Sequence, residues 1–395
     1  MPVELRKLPE LERLPDPPLK IRWFMFVILC VFTGFVLTIY FWPKEMSTHT
    51  LWFWMCAVLI PLAVGAVSYA LRLRHYEQQW DRVLYWNRLH HDKHNEMVEQ
   101  GQQALGLLGV AYSTPAANNK LGTALLQGAV PLQTLCMPGS SSVLTIAQLQ
   151  PPAKDHTRNE YCTRLEAHLK TILLTLETEL TQYALSKPVI VRIRHDGTLR
   201  DAQFLNLWQR VFPEKYAVAQ IIFGQQDDGL MWLDNWLDEQ NAALLLSLEV
   251  NLFIEKPDHQ AESVSALFLA SPAWITRQNI TPVAQIHRPV SVISAKESLE
   301  DVVRWGKLSA DELFFIWRSQ LATAPQTEML QAMDACHFIF DKDREHQLDD
   351  SFGNPSSAVG HIALICACEH AVSTQKPQWI MLQDKTPQWA IVRPA

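Results

Sequence analysis

Trp23 to Trp42 reads WFMFVILCVFTGFVLTIYFW and Leu51 to Leu71 reads LWFWMCAVLIPLAVGAVSYAL, two runs without a single charged residue. At 1.5 Å of rise per helical residue, either run crosses a hydrocarbon core about 30 Å thick. Pro61 and Gly65 interrupt the second run, which membrane helices tolerate better than soluble ones do. Trp23, Tyr40, Trp42, Trp52, Trp54 and Tyr69 crowd the ends, where rings with one polar atom favour the headgroup level. The first run is longer than the apolar core of a signal peptide, and the second follows after only eight residues, Pro43 to Thr50. The pattern predicts a transmembrane hairpin over residues 23–71. Arg6, Lys7, Arg13, Lys20 and Arg22 precede it, Arg72, Arg74, Arg82 and Arg88 follow it, and its loop holds only Lys44. The positive-inside rule then places both termini in the cytoplasm, and the expected location is a bacterial inner membrane.

The cysteines fit a reducing compartment: of seven, Cys30 and Cys56 lie inside the apolar runs and the rest show no framework spacing. A net charge of −7 gives no nucleic-acid signature, and no nucleic-acid partner is expected. Residues 1–22, with LPELERLPDPP, read as an extended cytoplasmic arm. Arg72 to about Gln103 reads as a polar helix leaving the membrane, with Tyr76, Trp80, Leu84 and Leu89 at helical spacing. A weakly patterned connector completes a juxtamembrane segment over residues 72–140.

From residue 141 the pattern becomes regular. Ser142–Leu149, Pro188–Arg194, Val218–Phe223, Ala243–Phe253 and Val264–Ser271 read as strands, with helices over Asn159–Ser186, Asp201–Phe212 and Asp228–Glu239. The order β-α-β-α-β-α-β-β recurs after about 145 residues. Its second set of strands is Val290–Ala295, Glu312–Arg318, His337–Asp341, Trp379–Asp384 and Trp389–Pro394, with helices over Ser298–Lys307, Gln326–Ala335 and Ser356–Ser373. A period this long is a domain half rather than a solenoid unit. The halves are set at residues 141–275 and 276–395.

Two such halves in tandem resemble the thiolase fold of thiolases and β-ketoacyl synthases. Locally, Phe352-Gly-Asn-Pro-Ser-Ser-Ala358 resembles the GN-x-S-[SA]-A stretch of ketoacyl synthase III and chalcone-synthase-like enzymes, and Asn354 falls on the asparagine of their oxyanion environment. Glu262–Ser271 is similar to the strand closing the first half of those enzymes. The resemblance implies a nucleophilic cysteine at the start of the third helix of the first half, where the helix dipole and amides lower its pKa. This chain has Phe223-Gly-Gln-Gln-Asp227-Asp228-Gly-Leu230 there, and no cysteine between Cys162 and Cys336. The implied histidine would fall near Arg318-Ser319-Gln320, where there is none. Acyl transfer without a thiolate or base lacks covalent catalysis, and Asp227 and Asp228 would repel an anionic intermediate. Asn354, Asp227, Asp228 and Arg318 are therefore read as vestigial active-site positions of a pseudoenzyme.

Other clusters read as structural. His90 and His94 share a helix face, but further metal ligands are wanting. Cys366 and Cys368 point about 200° apart on a helix and cannot share a metal. The acidic loop Asp341–Asp350 lacks EF-hand spacing. No Walker A loop, GxGxxG, HExxH or GxSxG motif occurs, and no metal or other cofactor is expected. Neither apolar run carries an Asp, Glu, Lys, Arg or His to mark a transport pathway. The expectation is a non-catalytic binding or assembly protein, with protein partners in a membrane assembly and, by the resemblance, a homodimer. Its organisation also resembles accessory membrane proteins encoded with type VI secretion systems. The alternative is a membrane-bound acyl- or lipid-handling enzyme of the thiolase-like superfamily.

Overall fold

A computed structural model describes the chain except for residues 1, 2, 4, 45, 137–142, 154–156, 239–241, 255–257, 310, 337, 339 and 340. The described residues divide into two units, the larger running from residue 98 to 395 and the smaller lying ahead of it, up to residue 97.

The smaller unit is built on two helices long and apolar enough to cross a membrane, Lys20–Phe41 and Leu51–Gly101, the latter running on beyond the unit. Gly34 lies against Pro61, Gly65 against Val27, and the Trp23 and Tyr69 rings meet at 5.8 Å, so the helices are antiparallel. Small residues let the backbones approach, as in membrane helix pairs. A π-helical turn, Met55–Leu59, precedes Pro61. Proline offers no N–H to the preceding turn, and a local widening is the usual accommodation. The arm has no regular secondary structure over residues 9–19 and is held to the second helix at Glu12, whose backbone N–H donates to Asn87 Oδ1 at 3.0 Å and whose carboxylate meets Arg82 at 3.3 Å.

The larger unit has thirteen described strands: β1 Ala104–Ser113, β2 Gln133–Cys136, β3 Val143–Ile146, β4 Val189–Arg194, β5 Val218–Phe223, β6 Leu244–Asn251, β7 Ser263–Ala270, β8 Ala284–His287, β9 Val290–Ser291, β10 Phe315–Ser319, β11 Glu345–Gln347, β12 Gln378–Gln383 and β13 Pro387–Pro394. The main sheet runs β11-β10-β12-β13-β8-β1-β7-β6-β4-β5, and β9 pairs with β13. Taken outward from the middle, both halves repeat one plan: first strand, fifth, fourth, second, third. β4, β5 and β6 are mutually parallel, as are β10, β11 and β12, while the fourth and fifth strands of each half are antiparallel. The sheet is mixed.

Three buried clusters define the layers. One joins helix Val359–Thr374 and the segment Leu230–Leu237 to strands of both halves; the second packs helices of the first half on the outer face of its strands, and the third does so for the second half. Helix Val359–Thr374 is buried over nearly its whole length because it has strands of both halves around it. The burial explains the apolar run Ile362–Cys368, IALICAC, within it.

Two expected boundaries are corrected. The first strand of the first half is Ala104–Ser113, not Ser142–Leu149, so that half begins within the segment assigned to the connector. β1 pairs antiparallel with both β7 and β8 and thereby joins the halves. Its sequence, ALGLLGVAYS, is buried on both faces, so it lacks the alternation that marks a half-exposed strand, and its two glycines weaken the signal further. The stretch expected as first strand instead contributes β3, paired with β2 in a separate hairpin, and Ser142 lies outside the described residues. In the second half the first strand is Ala284–His287, ahead of the expected Val290–Ala295. The third is Glu345–Gln347, and most of the expected His337–Asp341 lies outside the described residues.

Candidate functional site

β5 ends at Phe223, and the loop Gly224–Met231 leads into a short helix, Trp232–Leu237. In an α/β sheet the carboxyl ends of parallel strands are where ligands gather. Here β4 contributes Arg192 and Arg194, and the neighbouring β6 contributes Ser247 and Glu249.

Arg192 is 2% exposed. Its Nε donates to Asp227 Oδ2 at 2.8 Å, and its Nη1 donates to Ser247 Oγ at 2.9 Å and Glu249 Oε1 at 3.0 Å. The guanidinium lies 4.1 Å from the centre of the Trp232 ring, a cation–π contact. Arg194 donates to Asp384 Oδ2 at 2.6 Å. Burial pushes the Glu249 carboxyl above the ordinary carboxylate range, against the pull of Arg192 and Arg194. His361, fully buried, lies between Ser247 Oγ at 2.9 Å and Ser265 Oγ at 3.0 Å. Burial and the two arginines hold its pKa well below the usual value, so it is a neutral ring bridging two hydroxyls, not a base open to substrate.

The loop itself is closed by the β12–β13 turn. Asp228 accepts from the Lys385 N–H at 2.8 Å and from Thr386 Oγ1 at 2.5 Å. The Gly229 N–H donates to Asp384 Oδ2 at 2.9 Å and the Leu230 N–H to Gln388 Oε1 at 2.6 Å. These are amides that, at such a junction, would cradle a thiolate or an oxyanion. Both are occupied by side-chain oxygens from the other half of the domain. Gly229 has φ +44°, and a Cβ there would stand 2.5 Å from Gln388 Oε1, so a side chain at 229 displaces the acceptor. Leu230 is fully buried.

Asn354 sits elsewhere, in the turn before helix Val359–Thr374. Its Oδ1 accepts from Gln320 Nε2 and from the Ser356 N–H, both at 2.7 Å. Its backbone is tied to the segment 259–261 through the His259 carbonyl and the Ala261 N–H, each at 2.9 Å. Gln320 is in turn held by Asp349, whose Oδ2 accepts its N–H at 2.6 Å. Gln320 stands where the resemblance implies a histidine, and its amide faces Asn354. Arg318 is not part of this pair; it meets Glu345 at 2.9 Å across the β10–β11 edge. The four positions named from sequence therefore fall into three places: Asp227 and Asp228 in one loop, Asn354 with Gln320, and Arg318 with Glu345.

Reasoning from sequence missed Arg192, Arg194, Glu249, Asp384 and Gln388. A signal was present for three of them: Arg192, Arg194 and Glu249 are charges inside otherwise apolar strands, and a buried charge needs a partner. Cys366 and Cys368 are buried in the core, which raises both thiol pKa values and leaves them inert packing groups.

No family model matches this sequence, and no curated protein matches it. Solved structures do. The ketosynthase from module 1 of the bacillaene synthase from Bacillus amyloliquefaciens FZB42 is similar over 75% of this chain and 77% of its own, with a TM-score of 0.52 at 10% identity. The ketosynthase from module 6 of the bacillaene synthase from Bacillus subtilis 168 is similar over 74% of this chain and 70% of its own, also with a TM-score of 0.52 at 10% identity. Likeness at that identity is a likeness of fold: the larger unit is a thiolase-like α/β domain of the kind ketosynthases have.

Proposed function

We propose that this chain is a membrane-tethered binding or assembly protein whose thiolase-like domain does not condense acyl groups. One observation carries the reading. At the junction where the resemblance implies a thiolate, there is no cysteine, and the Gly229 and Leu230 amides already donate to Asp384 and Gln388. The basic flanks of the hairpin support its insertion in a bacterial inner membrane with both termini cytoplasmic. The outer edge of β5 ends the sheet and suits pairing with a second copy, which fits a homodimer. A role beside a secretion assembly, of the type VI kind, rests on organisation alone.

The second reading is an acyl- or lipid-handling enzyme acting through groups around Asn354 and Gln320. The fold likeness to two ketosynthases favours it. Purification of the detergent-solubilised full-length protein separates the two. The first reading expects a stoichiometric protein partner retained through gel filtration. Recovery of the chain alone, carrying a bound acyl compound, contradicts it and supports the second.

A further inference from the structure

In the helical hairpin, Gly65 rests against Val27, where a Cβ would stand 3.2 Å from the Val27 Cα. From Val27 toward Lys20 the surface of the helix pair carries a groove of about 460 Å³, lined by Lys20, Ile21, Trp23, Phe24, Val27 and Tyr69.

The lining is graded. Lys20, Trp23, Phe24 and Val27 recur at three- and four-residue spacing and share a helix face. Over about 10 Å of axis the groove passes from an ammonium group, through aromatic rings, to an aliphatic side chain. Tyr69 closes the other wall, its ring 5.8 Å from that of Trp23. Arg72, three residues further on, extends the Tyr69 face at the cationic end. Arg22 and Arg74 flank them. Lys20, Arg22, Arg72 and Arg74 are all exposed, and none forms an ion pair with a described residue. The nearest acidic residues along the chain are Asp16 and Glu77.

This sequence of polarities matches one class of molecule: an anionic headgroup, an ester-bearing glycerol region suited to aromatic rings, then an acyl chain. We propose that the groove binds one anionic glycerophospholipid, with its phosphate on Lys20 and Arg72 and an acyl chain along Phe24 and Val27. The site rests on the membrane insertion proposed above. In a bilayer the solvent of this surface is lipid, so the apolar floor is filled by an acyl chain in any case. The four unpaired cations then select the headgroup.

The test uses full-length protein in a non-ionic detergent, titrated with dioleoylphosphatidylglycerol or dioleoylphosphatidylcholine and read by native mass spectrometry. One saturable phosphatidylglycerol site is expected, with about tenfold or greater preference over phosphatidylcholine. Lys20→Gln with Arg72→Gln, both exposed positions, should weaken phosphatidylglycerol binding by about fivefold for each charge removed and leave phosphatidylcholine unchanged. Equal binding of the two lipids, an unaffected double variant, or displacement of the lipid by glycerol phosphate would overturn the proposal. Failure of the membrane reading has a separate signature: the chain would partition into the aqueous phase on detergent phase separation, which sinks the tether together with the site.

Discussion

Replacing Arg192 with alanine is expected to destabilise the α/β domain by about 3–5 kcal/mol, the usual cost of removing one partner from a buried ion pair. Arg192 is 2% exposed, and Glu249 beside it is fully buried. Without the guanidinium, Glu249 loses its nearest counter-charge, Ser247 Oγ loses a donor, and Asp227 loses one of the contacts that hold its loop. The Trp232 ring also loses the cation over its face. In thermal unfolding of the full-length protein in detergent, followed by near-ultraviolet circular dichroism, the transition should fall by about 10 °C. Arg192→Lys should recover only part of this, because an ammonium cannot address Asp227, Ser247 and Glu249 at once. Lys376→Ala, at an exposed position away from the network, should stay within about 0.5 kcal/mol of wild type. An Arg192→Ala protein with the wild-type midpoint would show that the network does not hold the loop.

His287 is expected to make the domain sensitive to acid. Its ring is 1% exposed, and burial together with the nearby Lys307 and Arg393 lowers its pKa from 6.5 to about 4. Because the folded value lies below the unfolded one, the unfolded chain takes up the proton first as the pH falls. The stability contributed by the neutral ring is therefore complete above about pH 6.5 and withdrawn between there and about pH 4. The full withdrawal is on the order of 3 kcal/mol. His361 acts in the same direction. Glu249, Asp349 and Glu369, whose pKa values are raised by burial, act in the opposite one. Comparing wild type with His287→Leu isolates the histidine. The variant should gain on wild type as the pH falls from 7 to 4.5, and parallel stability curves would show that His287 does not report burial in this way.

Much of this architecture is written in residue order. The hairpin is legible because a run such as Trp23–Trp42 carries no charge over a membrane's thickness, and few soluble helices can afford that. The two α/β halves are legible because buried parallel strands such as Val218–Phe223 read as short apolar runs between helical stretches. β1 escaped for the same physical reason carried further: a strand covered on both faces and broken by Gly106 and Gly109 offers neither alternation nor a clean apolar run. That no cysteine or histidine stands at the positions the resemblance implies could be read directly. The contacts made at those positions could not. Asp384 and Gln388 close the Gly229–Leu230 amides from about 155 residues away along the chain, a pairing that only the packing of the two halves creates. Gln320 facing Asn354 is similar in kind, since a strand end and a turn meet only once β10 and helix Val359–Thr374 are in place. Arg192, Arg194 and Glu249 were visible as anomalies in apolar strands, though their partners were not.

The claim that this domain does not carry out thioester condensation can be tested by weighing the chain. Full-length protein in detergent is incubated with short- and long-chain acyl thioesters, quenched in acid, and measured intact by mass spectrometry. The occupied Gly229 and Leu230 amides and the lack of a nucleophile at that junction predict an unmodified mass with every acyl donor. A stoichiometric acyl adduct, mapped by peptide digestion to residues 224–232 or to the neighbourhood of Asn354, would contradict the account.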